Sequence, residues 1–212
     1  AILTGGARDP AFAAECLQLP DEGTLAEQMA VADPDAIHAA RKQLILAVAL
    51  RDRTRFEGAF RHFAVPGAYS PDAAAAGRRA LRNAALAYIM AIDDSTARAL
   101  TFLEFRRAEN MTDSMAALAC LADSAGAERD RALAMFLDRW KDEALVVDKW
   151  FRVQATSSLP GGAARIEKLL EERRALEREL ESARAAQRSA ASGDLASQVE
   201  TIGEVSLLLA KV

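Results

Sequence analysis

The sequence predicts an all-α fold: an irregular antiparallel helical array, superhelix-like, followed by a lone heptad helix and a candidate terminal strand. Three observations predict it. Helix-start signals recur, apolar residues repeat at helical rather than alternating spacing, and strand signals are nearly absent before Val199. Connections such as "SAGAE" and "KDEA" are short, so each helix must bury one face against a neighbour. No repeat of fixed length is visible, which makes the array irregular.

The elements follow in order. Asp9-Pro10, Asp33-Pro34 and Ser70-Pro71 each set a capping oxygen before a proline at the first helical position, where its missing N–H costs nothing. After Asp33, Ile37, Leu44, Ile45 and Val48 form an apolar stripe; after Ser70, Leu81, Ala84, Ala85, Tyr88, Ile89 and Ile92 form another. Thr112 is placed to cap a helix carrying Met115, Leu118 and Leu121. Leu133, Phe136, Leu137 and Trp140 mark the next, and Leu145, Val146, Trp150 and Val153 the one after. From residue 164 the pattern changes. Ile166, Leu169, Leu176, Leu180 and Ala183 take heptad a and d positions, Arg173 interrupts one of them, and acidic and basic residues alternate around the seam. "SAASGD" (189–194) predicts a break, and "VSLLLAKV" (205–212) reads as a strand with no partner, an exposed edge. The predicted organisation is 1–158 helical array, 159–163 junction, 164–188 heptad helix and 189–212 the start of an α/β domain.

Composition bounds the function. The chain has 212 residues, is 51% hydrophobic with much of that alanine, and is only 6% aromatic. A net charge of −4 gives no electrostatic reason to expect nucleic acid as a general partner. No run of apolar residues is long enough for a membrane span, so no membrane partner is expected. Cys16 and Cys120 stand far apart in helical patterns and predict buried thiols in a reducing compartment. The start "AILTGG", without an initiator Met or a signal peptide, suggests a chain cut from something longer.

Chemistry is sparse. Only His38 and His62 are present, and neither has a partner at metal-ligand spacing. There is no glycine-framed nucleophile, G-x-G-x-x-G or P-loop, and Asp93-Asp94 and Glu171-Glu172 fall in turns or on solvated faces. The sequence therefore assigns no catalytic, cofactor-binding or metal-binding residue. Two strings stand out. In "AENMTDSMAAL" (108–118), Asn110, Met111, Thr112 and Asp113 turn the chain into a helix, as a capped corner or a substrate-facing turn. In "ALVVDKWFRVQAT" (144–156), Trp150 and Phe151 are packing anchors, each worth roughly 2–3 kcal/mol when fully buried, and Asp148 and Lys149 are placed to pair with adjacent helices.

The strings "LPDEGTLAEQM", "DPDAIHAARKQL", "YSPDAAAAGRRALRNAALAY", "AENMTDSMAALACL" and "LVVDKWFRVQATS", in that order over about 1–158, closely resemble the C-terminal helical domain of the bacterial aminopeptidase N family. These are gluzincin-class zinc alanyl aminopeptidases. The resemblance implies a bacterial cytoplasmic enzyme removing N-terminal residues from peptides, with zinc held by a separate catalytic domain through an HExxH helix and a downstream Glu. Neither those motifs nor the family's GAMEN-like strand occurs here, so no cofactor is expected in this chain and none of the activity is expected from it alone. Its implied partner is that catalytic domain, over which the helical domain closes a chamber. The family's continuation past "QATS" is absent, leaving the array incomplete.

The tail, "ARIEKLLEERRALERELESARAAQ" then "GDLASQVETIGEVSLLLAKV", resembles a C-terminal segment of alanyl-tRNA synthetase. That implies a tRNA-contacting or dimerising tail, although the balanced charges of 165–188 argue against tRNA binding by this piece. Two incomplete likenesses suggest a chimeric or truncated reading frame. A third reading is a helical scaffold, weakly self-associating through Ile166, Leu169, Leu176 and Leu180.

Overall fold

The computed structural model describes residues 8–209. Among them the chain forms α1 (Pro10–Cys16), α2 (Glu22–Ala26), α3 (Pro34–His62), α4 (Ala73–Met90), α5 (Ser95–Arg107), α6 (Met111–Ala122), α7 (Ala127–Trp140), α8 (Ala144–Ala155) and α9 (Gly162–Leu209), with no strand among the described residues.

Aspartate starts most of these helices. Asp9 and Asp33 accept from the backbone N–H of Phe12 and Ala36 at 2.9 and 3.0 Å, as the Asp-Pro pairs predict. Ser70-Pro71 works differently. Asp72 is the cap of α4, accepting from Ala75 N–H at 2.9 Å, and the Ser70 hydroxyl donates to the other Asp72 oxygen. A carboxylate accepts more strongly than a hydroxyl, so the helix begins two residues later than predicted. That hydroxyl, followed by the Ala75 amide, holds the Asp72 carboxyl below the usual carboxylate range.

The helices stack in a regular order. α3 and α1 lie on α4, α4 packs on α6, α5 packs on both α6 and α7, α6 also meets α8, and α8 carries α9. From α2 onward each helix thus touches its neighbour in sequence and, through the middle of the chain, the one after that, while among the described residues α1 packs on α4 alone. Alanines make the close contacts: Ala49, Ala85, Ala97, Ala117 and Ala132 are fully buried, and their short side chains let helix axes approach. Leu81, Leu86 and Ile89 of α4 and Leu118 and Leu121 of α6 fill the centre. At the α1 contact the space is tighter still. A Cβ at Gly77 would stand 3.1 Å from the backbone nitrogen of Ala11. Tyr88 stacks on Phe56 at 4.5 Å and donates its hydroxyl to the Leu17 carbonyl at 2.8 Å, tying α4 to α3 and to the end of α1.

The stripe on α3 is partly misread by periodicity. Ile37 is buried and Ile45 and Val48 are partly covered, but Leu44 is half exposed, as are Leu46 and Leu50. The helix bends at Asp52 (φ −114°, ψ 21°), where the carboxylate takes Arg51 at 2.9 Å and Arg55 at 2.6 Å.

The tail departs most from expectation. α9 continues without a break through 189–194 and through 205–209, so neither the predicted interruption nor the strand forms there; residues 210–212 lie outside the described residues. One glycine at 193 costs only about 1 kcal/mol in a helix, and the surrounding Ala, Leu, Gln and Glu favour it. A lone strand would leave its backbone groups without protein partners, whereas a helix satisfies them internally.

Leu118→Ala should lower the unfolding free energy by about 3 kcal/mol, the ordinary cost of a buried Leu-to-Ala cavity. Urea titration followed by tryptophan emission would measure it; a loss below about 1 kcal/mol would mean that α4 and α6 do not share a tight core.

Candidate functional site

The corner at 108–113 is built as a reciprocal cap. Asn110, not Thr112, is the N-cap of α6: its side-chain oxygen accepts from Asp113 N–H at 2.9 Å, and its amide donates to Asp113 Oδ2 at 2.8 Å. The other Asp113 oxygen accepts from the Asn83 amide of α4 at 3.0 Å. Asp113 is buried, and its hydrogen bonds go to this corner and to α4. The sequence spacing N-x-x-D held this information; Thr112 competes for it only because both residue types cap helices.

Asn110 and Asp113 also line a cleft of about 580 Å³, walled by the 64–69 loop and by Glu104, Arg107 and Glu109, with Arg79 and Arg82 of α4 among its lining. Sequence reasoning missed this cleft because it joins a loop to three helices. The available signal was the polar cluster Arg78, Arg79, Arg82 and Asn83 in the alanine-rich helix "AAAAGRRALRNAALAYIM".

The second string lies elsewhere. Trp150 is buried, donates its indole N–H to the Leu133 carbonyl at 2.8 Å and meets Phe151 edge-on at 4.9 Å. Asp148 pairs with Arg173 of α9 at 3.3 Å, while Lys149 is exposed. Asp148 and Phe151 line two shallow grooves of about 390 Å³ each between α8 and α9. The structure thus does not bring 110–113 and 148–151 into one concavity.

The heptad seam is partly spent inside the chain. Leu169 is buried and Leu176 packs against the core, while Ile166 remains 42% exposed; the Leu180 side chain lies outside the described residues. The junction ahead of α9 is closely tied. Gly161 takes φ +79°, a left-handed conformation that favours glycine. Arg165 then reaches back to the carbonyls of Gln154 at 3.2 Å and of Ser157 and Leu159 at 3.0 Å. Ser157 donates to the Ala122 carbonyl at 2.9 Å, and Asp123 accepts from Ser158 N–H at 2.5 Å. Residues on both sides of 159–163 therefore share one hydrogen-bonded knot.

The acidic pair Asp93-Asp94 sits in a turn, as predicted, and holds helices together. Asp94 caps α5 and takes Arg53 at 2.5 Å, which, with the Ala97 amide after it, keeps its carboxyl below the usual range. Asp93, at φ 51°, accepts from Ser124 at 2.8 Å and from Arg98.

A resident metal is not supported by the described residues. Among them no three His, Cys, Asp or Glu converge; His38 contacts Glu22 at 2.7 Å, and His62 packs edge-on against Phe63 at 4.8 Å. The residues do not fit a zinc site. No helix among the described residues is long and apolar enough to cross a membrane.

Cys16 is exposed, contrary to expectation, because α1 turns it away from α4. Cys120 is half-covered as a residue with its sulfur enclosed; burial, and secondarily Asp123, pushes that thiol up to about 12. Since the thiolate is the nucleophile, iodoacetamide at pH 8 should label Cys16 in the native chain and Cys120 only after unfolding. Equal labelling rates would contradict the enclosure. The sign is that of a raised acid: the folded chain holds the Cys120 proton more tightly, so this group's contribution to stability is lost as pH rises from about 9 toward 12.

Residues 1–176 match the family model described as "Domain of unknown function (DUF3458_C) ARM repeats", a match that crosses the 159–163 junction. The chain is 38% identical over 169 residues to Aminopeptidase N of Caulobacter vibrioides, covering 80% of this chain and 20% of that protein. It is 34% identical over 175 residues to Aminopeptidase N of Escherichia coli K12, covering 82% and 20%. The crystal structure of Legionella pneumophila aminopeptidase A in complex with aspartic acid is similar with a TM-score of 0.70 at 25% identity, covering 80% of this chain and 21% of that one. The chain spans about a fifth of the length of these relatives. The synthetase likeness of the tail finds no support in these comparisons.

Proposed function

This chain belongs to the DUF3458_C ARM-repeat family, and from that membership we propose that it serves as the C-terminal helical domain of an aminopeptidase of the aminopeptidase N type. The observation that carries the reading is the family match of residues 1–176, together with the match of four-fifths of the chain to 20% of longer proteins that are named Aminopeptidase N. Peptide-bond hydrolysis, with its zinc, would come from the catalytic portion of the longer protein. The helical stack would wall the chamber above it and so limit which peptides enter. A cytoplasmic location belongs to the same reading.

Two features support a docked role. Leu44, Leu46 and Leu50 of α3 and Phe12 of α1 are exposed large apolar residues, of the kind that a neighbouring domain covers. The Arg165 knot and the extent of the family match support taking the helices through residue 176 as one folding unit, with the rest of α9 as an appendage.

The test is reconstitution. The Caulobacter relative expressed without its helical domain should co-elute with this chain on size exclusion, and long peptides should then be cleaved more slowly relative to an alanyl dipeptide. The chain alone should release no alanine. Separate elution with an unchanged ratio of long to short substrates, or turnover by the clean chain alone, would overturn the reading.

A further inference from the structure

Helix α9 outruns the helix it packs on. It holds 48 residues, about 72 Å at 1.5 Å per residue, whereas α8, its packing partner among the described residues, holds 12 and spans about 18 Å. The seam is used as far as α8 reaches: Leu169 is buried and Leu176 packs against the core. Heptad spacing carries the same seam onward through Leu180, Ala183, Gln187 and Ala190. Every described side chain from 177 to 189 is exposed. Most of a helix's stability comes from packing one face, so a seam that continues past α8 leaves a place for a second helix.

Charge and side-chain size along the seam fit a second copy of α9 running antiparallel. In that arrangement a positions face d positions. With Leu180 against Ala183 of the copy, Leu176 falls opposite Gln187, and Arg173 opposite Ala190, which is small enough to leave the guanidinium room. The flanking e positions then set Glu177 opposite Arg184, and the two-fold axis repeats the pair. Glu177 gives one oxygen to Arg173 at 3.0 Å, an exposed pair within the helix that is worth little, and a carboxylate has a second oxygen to offer. A parallel pair would be poor. It would put Arg173 against Arg173 in the seam and Glu172 against Glu177 beside it, like charges in each case.

The copy's helix also has a surface to lie on. Around Leu176 the α8–α9 contact opens into a groove of about 390 Å³ with Ala144, Val147 and Phe151 in its lining. A second groove follows it, where Ile166 and Leu170 are 42% and 49% exposed. The antiparallel register lays "AAQRSAA" (185–191) of the copy, mostly short side chains, on the first groove and the turns after it on the second.

We propose that two copies of this chain associate through α9, antiparallel, about a two-fold axis between Leu180 and Ala183. The inference rests on α9 and its contact with α8 and is independent of the aminopeptidase reading.

The test is sedimentation equilibrium of the full chain. Mass should rise with concentration from 22.8 kDa toward twice that value. Leu180→Asp should weaken association about tenfold. Glu177→Arg and Arg184→Glu should each weaken it several-fold, and the two together should restore it, a rescue that loss of folding cannot imitate. Orientation is read from a spin label on Ser197→Cys in a Cys16→Ser background. The two labels should stand roughly 45 Å apart in the antiparallel pair, against less than about 15 Å in a parallel one. A mass of 22.8 kDa at every concentration, association that survives Leu180→Asp, a double variant no tighter than the single ones, or the short label distance would overturn the proposal.

Discussion

Burial of short-side-chain faces between helices is the constraint on which the whole arrangement depends. Helices α1 and α3 to α7 set buried alanines against their neighbours, so that Leu81, Leu86 and Ile89 can reach Leu118 and Leu121 in a single centre. Because each middle helix meets both its neighbour and the helix beyond, order propagates along the stack. The polar contacts are arranged around that burial. Arg53 with Asp94, Asn83 with Asp113, and Tyr88 with Leu17 all join one helix to another, and each would be lost if the helices separated.

This explains why the charged residues look more interesting in the sequence than they are as chemistry. Asp93, Asp94, Asp113 and Asp123 are used at turns, caps and the 157–158 knot, where a carboxylate accepts several backbone or side-chain donors. His38 and His62 lie apart on the surface and share no ligand set with them. Among the described residues the charged side chains serve mainly to join helices.

The fold class was legible because helix capping is local. Asp9 and Asp33 announce their helices within three residues. The errors are also local and physical. Ser70 lost the cap to Asp72, and Thr112 to Asn110, in each case to a residue whose side chain could accept from the third helical amide while a second group supported it. Leu44 shares its helical spacing with Ile37 and Val48 yet stays half exposed, and the 205–209 segment was misassigned because its β-like composition has no partner strand to reward it. The arginines of α4 were visible in the sequence, but the cleft they help to line was not. Its walls come from the 64–69 loop and from residues 79 to 113, and only packing of α4, α5 and α6 sets them face to face.

Native-state hydrogen exchange tests most directly whether the stack is one cooperative unit. The slowest amides of α4, α6 and α8 should open with free energies that agree within about 1 kcal/mol and fall with urea along the same slope, as parts of one global unfolding do. If α8 instead opens several kcal/mol below α4, with a shallower urea dependence, the helices are separate units strung together, and the shared burial described here does not hold them.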